Sequence, residues 1–131
     1  MTSKRKTSDW THNNIIVDEL PPEAEGFVYL ITNNYPSKKM KSFIDNQKKK
    51  NIDKSIIVLI SINENKVSLI IGVTKDIVDL FDATHLVKIS SLLVGGRGGG
   101  GRNDLAQAGG NIPDKAKDIY LVLKKEISKS I

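Results

Sequence analysis

The sequence predicts an α/β domain: a central mixed β-sheet of about four strands with three helices, and a Gly-rich loop before the last short strand and the C-terminal helix. Three observations lead there. Apolar runs of strand length, at Phe27–Thr32, Ser55–Ile62 and Lys66–Val73, alternate with stretches whose apolar residues recur at helical spacing. Eight of the ten glycines fall within residues 95–110, between two such stretches. The length, 131 residues, suits one domain with a modest core.

In chain order, residues 1–25 read as an N-terminal arm or linker and residues 26–131 as the globular domain. The arm carries Lys4, Arg5 and Lys6, then Trp10 and His12, a short strand candidate at Ile15-Ile16-Val17, and an acidic loop around Pro21-Pro22. Phe27–Thr32 is rich in β-branched and aromatic residues and is bounded by Gly26 and Asn33-Asn34, so it reads as the first strand of the domain. Ser37 to Lys50 reads as a helix, because Met40, Phe43, Ile44 and Gln47 share one stripe while Lys38, Lys39, Lys41 and Lys48–Lys50 lie mostly away from it. The closing lysines suit the negative end of the helix dipole.

Ser55–Ile62 is apolar without alternation, as expected of a strand covered on both faces. Asn63-Glu64-Asn65 turns the chain, and Lys66–Val73 returns as a hairpin partner. If the strands before and after the first helix are parallel, their crossover is right-handed. Asp76–Asp82 reads as a connection whose Asp82, or else Thr84, caps a second helix with Leu86, Ile89, Ser90 and Leu93 on its buried side. Gly95 is placed to end that helix in a left-handed conformation. Asn103–Ala108 reads as the last short strand, and Pro113 as the start of the last helix, whose stripe is Ala116, Ile119, Tyr120, Leu123 and Ile127.

Most glycine runs are linkers or turns. This one contains no serine or proline, stops abruptly at Asn103–Ala108, and is embedded between patterned segments. It holds two of the three arginines, Arg97 and Arg102, among Gly98, Gly99, Gly100 and Gly101, with Asn103 and Gln107 close behind. Successive glycine amides form anion-binding concavities, and arginines and amide side chains suit phosphates, riboses and base edges. A Walker motif is absent, because Gly101-Arg102 stands where a Lys-Ser/Thr pair is needed. The spacing Gly96, Gly98, Gly101 meets the dinucleotide pattern only as any glycine-rich run does, and it follows a predicted helix where that motif requires a strand.

Gly98–Gly101, Arg102-Asn103-Asp104, Leu105 and Ala106-Gln107-Ala108-Gly109-Gly110 together resemble the signature of the C-terminal domain of alanyl-tRNA synthetase, a domain of the DHH-associated type. Lys66–Asp76 is similar to that family as well, and the resemblance runs over roughly residues 26 to 130. Asn103 departs from the family pattern, which usually has proline there. The resemblance implies a domain that contacts the outer corner of tRNA(Ala), supports aminoacylation and editing by the rest of the synthetase, and takes part in a homodimer through that parent enzyme. It implies that ATP and metal ions are used only in the parent, with no cofactor in this domain. A fragment or detached relative of the synthetase is expected on the same ground, and the absence of cysteine fits the cytoplasmic location expected.

The residues hold little catalytic chemistry. There is no cysteine, there are two histidines, and the carboxylates fall in no metal-ligand spacing, so no catalytic and no metal residues are expected. The net charge of +5 favours an anionic partner. The nucleic-acid contacts expected are Arg97, Gly98–Gly101, Arg102, Asn103 and Gln107, with Lys38, Lys39 and Lys41 steering. The alternative of another class is the substrate-binding domain of a DHH-type phosphoesterase, in which a histidine typically follows the glycine run. Arg102 stands in that place, which favours the synthetase. A plain oligomerisation module makes no use of the Gly-Arg run. No stretch approaches the ~20 apolar residues of a membrane span, and no signal peptide is expected.

Overall fold

The apolar runs become the middle of a six-stranded sheet in the computed structural model, which describes residues 13–17, 26–50 and 53–129. The strands are β1 (Asn13–Val17), β2 (Gly26–Asn33), β3 (Ser55–Asn63), β4 (Lys66–Val73), β5 (Gly100–Arg102) and β6 (Leu105–Gly110). The helices are α1 (Ser37–Lys50), α2 (Ala83–Leu93) and α3 (Ile119–Lys129), with 3₁₀ turns at Lys75–Ile77 and Pro113–Asp118. Across the sheet the order is β1-β2-β3-β4-β6-β5. β2 and β3 are parallel and every other neighbouring pair is antiparallel. A parallel pair needs a crossover, and α1 is that crossover.

The unbroken apolar run of β3 follows from its place in the sheet. It lies between β2 and β4 with helices over both faces, and Ser55–Ser61 are all buried. Alternation along the strands divides the core in two. Phe27, Tyr29, Val58, Leu69 and Ile71 face α2 and α3, while Leu30, Ile57, Leu59 and Ile70 meet Met40 and Ile44 of α1. The result is three layers, with α1 the only described helix on its side. Ile44 is fully buried in the smaller core, where truncation to alanine costs about 2–5 kcal/mol. On the other side Tyr29 donates its hydroxyl to the Ala116 carbonyl at 3.2 Å, which ties the sheet to the turn before α3.

The three helices and the mixed sheet are as the pattern predicts; the strand count is larger than the expected four. β1 lies within the segment read as an arm, and it pairs with β2 in the register Ile15 to Leu30. β5 has no sequence signal, because glycine and arginine carry no strand preference. Its pairing with β6 makes it a strand. The expected strand Asn103–Ala108 is shifted. Asn103 and Asp104 form the turn between β5 and β6, in keeping with the turn chemistry of Asn and Asp, and the strand runs from Leu105 to Gly110.

The helix boundaries follow the expected chemistry. Asp82 caps α2 by accepting the Thr84 amide at 2.9 Å, and Gly95 ends it with φ +83°. Pro113 opens a 3₁₀ turn that runs on into α3, so the last helix begins less regularly than expected. Lys4–Lys6, Trp10, His12 and the Pro21-Pro22 loop lie outside the described residues.

Candidate nucleic-acid interface

Much of the glycine run is packed against its neighbours. Gly96 donates its amide to the Ser91 carbonyl at 2.7 Å, and Gly98 donates to the Ser91 hydroxyl at 3.2 Å. That hydroxyl in turn donates to the Gly109 carbonyl at 2.7 Å. Ser91 of α2 therefore ties both ends of the Gly-rich hairpin together. A Cβ on Gly96 would collide with the Gly109 carbonyl, and one on Gly99 with Ala108. The glycines allow the loop to lie directly on β6 and α2, and the Gly98 amide already has an acceptor. Gly100 differs: among the described residues an added Cβ there meets nothing within 4 Å.

Pairing separates the predicted site residues by face. Residues directly opposite in antiparallel strands share a face. Arg102 lies opposite Leu105 and Gly100 opposite Gln107. Leu105 packs against the core on the α1 side, whereas its neighbour Ala106 belongs to the core on the α2 side. Arg102, Gly100 and Gln107 thus share the α1 face of the β5–β6 ribbon. α1 packs over β3 and β4, and Gln107, Gly100 and Arg102 beside it are exposed.

A charge cluster borders this open face. Asp104, only 8% exposed, accepts from Arg102 Nε at 3.1 Å and lies 3.9 Å from Lys75 Nζ. Lys48 Nζ donates to the Asp104 carbonyl at 2.9 Å. Burial pushes the Asp104 carboxyl up, but the Arg102 hydrogen bond and the Lys48 charge outweigh it and hold the group below the usual carboxylate range. Burial lowers the Lys48 ammonium from its ordinary value, against the pull of Asp104. Three cations around one carboxylate leave the patch positive.

Arg97 lies on the other face. It lines an open groove of about 440 Å³ with Thr84, His85, Lys88, Gly98 and Gly99. The groove wall is anchored by His85, whose Nε2 is 2.8 Å from Glu126 Oε2 of α3.

Residues 24–129 match the family described as the DHHA1 domain. The chain belongs to the DHHA1 domain family.

Its relatives include three alanine–tRNA ligases. That of Hyphomonas neptunium is 42% identical over 81 residues, 62% of this chain and 9% of the relative. That of Rhizorhabdus wittichii is 32% identical over 111 residues, 83% of this chain and 12% of the relative. That of Granulibacter bethesdensis is 48% identical over 66 residues, 50% of this chain and 7% of the relative. The match therefore spans about a tenth of the length of these enzymes. The crystal structure of the C-Ala domain from Aquifex aeolicus alanyl-tRNA synthetase superposes with a TM-score of 0.72 at 30% identity, over 78% of this chain and 92% of that one. A DHH-domain protein, described as a member of a family of ribosomal proteins, shares the fold, with a TM-score of 0.57 at 20% identity over 94% of this chain and 29% of that one. The fold of this DHHA1 domain is that of the C-Ala domain.

Within the DHHA1 domain the lysines of α1 divide between its two ends. Lys38 and Lys39 stand in the first turn and Lys41 pairs with Asp45 at 3.1 Å, whereas the Gly-rich hairpin meets the last turn. Lys39 and Lys48 are roughly 13 Å apart along the helix axis. Asn103 is exposed at the tip of the turn, where its carbonyl accepts the Ala83 amide at 2.8 Å. The structure thus groups Arg102, Gly100 and Gln107 with Lys48, leaves Asn103 at the tip of the turn bonded to the start of α2, places Arg97, Gly98 and Gly99 on the opposite side, and leaves Lys38, Lys39 and Lys41 at a distance. Gly101 faces the α2 side with Ala106. Sequence reading passed over Asp104, Lys75 and Lys88. Asp104 follows Arg102 by two residues and meets it through the 3.1 Å hydrogen bond across the turn; nothing in the sequence marks the other two. Among the described residues no group of three His, Asp or Glu is placed to hold a metal ion, and no helix is long and apolar enough to cross a membrane.

Proposed function

We propose that this DHHA1 domain is the tRNA-contacting C-terminal part of a cytoplasmic alanine–tRNA ligase. It binds the outer corner of tRNA(Ala) through the α1 face of the β5–β6 ribbon and so supports aminoacylation and editing by the rest of the enzyme, with which it joins a homodimer. The chemistry that uses ATP and metal ions belongs to that parent, and this domain alone is non-catalytic. The observation that carries the reading is the open ribbon face: Arg102 and Gln107 exposed beside Gly100, with Lys48 at the rim. Arg102 offers a planar cation for phosphate or for stacking on a base, Gln107 and Asn103 offer amides to base edges and ribose hydroxyls, and Gly100 sets no side chain in the way. Recognition of a folded corner rests on its shape, its exposed stacked bases and its backbone.

Titration of the chain with folded tRNA, a tRNA lacking its corner and an unrelated duplex, at two salt concentrations, tests the proposal. Binding of folded tRNA is expected with a dissociation constant on the order of 10⁻⁴–10⁻⁶ M and a marked salt dependence. Equal affinity for all three RNAs removes the claim of corner recognition. Unchanged affinity in Arg102→Ala with the fold intact removes the ribbon face.

A further inference from the structure

The edge strand β5 has two sides, and the function proposed above uses one of them. On the other side lies the groove between the start of α2 and the first half of the glycine run, lined by Thr84, His85, Lys88, Arg97, Gly98 and Gly99. No carboxylate among the described residues lines it. Lys88 and Arg97 are exposed, and neither makes an ion pair with any described residue. Arg102, by contrast, has Asp104, and Lys41 has Asp45. Two carboxylates stand behind the lining and are already engaged: Asp82 accepts the Thr84 hydroxyl at 2.6 Å, and Glu126 lies against His85 and Lys129. A Cβ added at Gly98 would rest on the Lys88 stem at 3.5 Å, so the loop backbone and the lysine form one wall. The groove volume, about 440 Å³, exceeds the space of a bare phosphate and falls in the usual range of small-ligand clefts.

We propose that this groove binds the phosphate of a nucleotide, held between the Lys88 ammonium and the Arg97 guanidinium. The guanidinium supplies a two-pronged contact to phosphate oxygens and the ammonium a point charge, while the remaining volume receives the sugar and base against His85. The phosphate comes either from an unpaired RNA strand that crosses the β5 edge or from a free mononucleotide; the chemistry recognised is the same.

The test is an amide-shift titration of the ¹⁵N-labelled full chain with inorganic phosphate, with AMP and with a short unpaired oligoadenylate. Saturable shifts at Lys88, Gly98 and Gly99 are expected with each. The double substitution Lys88→Ala/Arg97→Ala should weaken AMP binding about tenfold or more, and Lys66→Ala, which removes one charge at the far hairpin, should not. Each lost contact should lower the salt slope of oligoadenylate binding by about 0.7. Oligoadenylate binding clearly tighter than AMP identifies an RNA strand as the source; AMP equal or tighter identifies the free mononucleotide. Shifts that are absent, that rise linearly with ligand, or that survive the double substitution overturn the site. Because AMP and these amides report on the groove alone, this result is independent of whether Arg102→Ala alters tRNA binding.

Discussion

Lys48 and Asp104, 56 residues apart, are joined by a hydrogen bond of 2.9 Å from the lysine Nζ to the aspartate's backbone carbonyl. The same carbonyl accepts the Val73 amide at 2.9 Å, so the last turn of α1, the end of β4 and the turn between β5 and β6 meet at one oxygen. Lys48→Met keeps most of the apolar stem and removes the donor. It is expected to lower stability by about 1 kcal/mol, read as a shift in the urea midpoint at constant slope. An unmoved midpoint would mean that the contact does not stabilise the fold.

The Asp104 side chain predicts a pH dependence. Its carboxyl is held below the usual range in the folded protein, so folding favours the ionised form. The stability this contributes is complete above the unfolded-chain value of about 4 and is lost as pH falls through the lower folded value. The groups that face it are Arg102, Lys48 and Lys75. Asp104→Asn should therefore be less stable than the parent at neutral pH, with the gap closing as pH drops below about 4. Urea unfolding from neutral pH down to about pH 2 measures it. A gap that stays constant over that range would remove ionisation as the cause.

Two glycines of the run should respond oppositely to alanine. At Gly96 a Cβ would strike the Gly109 carbonyl and the Ser91 hydroxyl, and the Gly109 backbone, paired within the sheet, has little room to yield. Gly96→Ala is expected to cost about 1–3 kcal/mol or to displace the hairpin. At Gly100 no described residue lies in the way, and Gly100→Ala should stay within about 0.5 kcal/mol. Thermal unfolding of the two variants side by side decides this, and equal losses would contradict the packing described.

For RNA binding, the separation of the arginines predicts separable effects. Arg102→Ala should weaken folded tRNA and lower the salt slope by about 1. Arg102→Lys keeps the charge but loses the planar fork, so it should restore the slope without restoring full affinity. Full recovery with lysine would show that Arg102 acts by charge alone.

Much of the domain is legible in the chain because the signals are local. The buried run of β3, the stripes of α1 and α3, the Asp82 cap and the Gly95 stop each depend on periodicity or on the chemistry of one residue. The Ala106–Gly110 ending likewise carries the family resemblance within five adjacent residues. Tertiary structure decided which functional groups meet. Arg97 and Arg102 are five residues apart, yet they lie on opposite sides of the sheet, because the loop is tied to Ser91 of α2 before β5 begins and β5 then pairs with β6 in a register that turns Arg102 toward α1. Lys48, and not Lys38, Lys39 or Lys41, reaches the hairpin, because the parallel pairing of β2 and β3 fixes which end of the crossover helix lies beside the β5–β6 turn. Composition shows that such charges are present. Pairing between strands distant in the chain places them, and that depends on long-range hydrogen bonds that no local window of sequence contains.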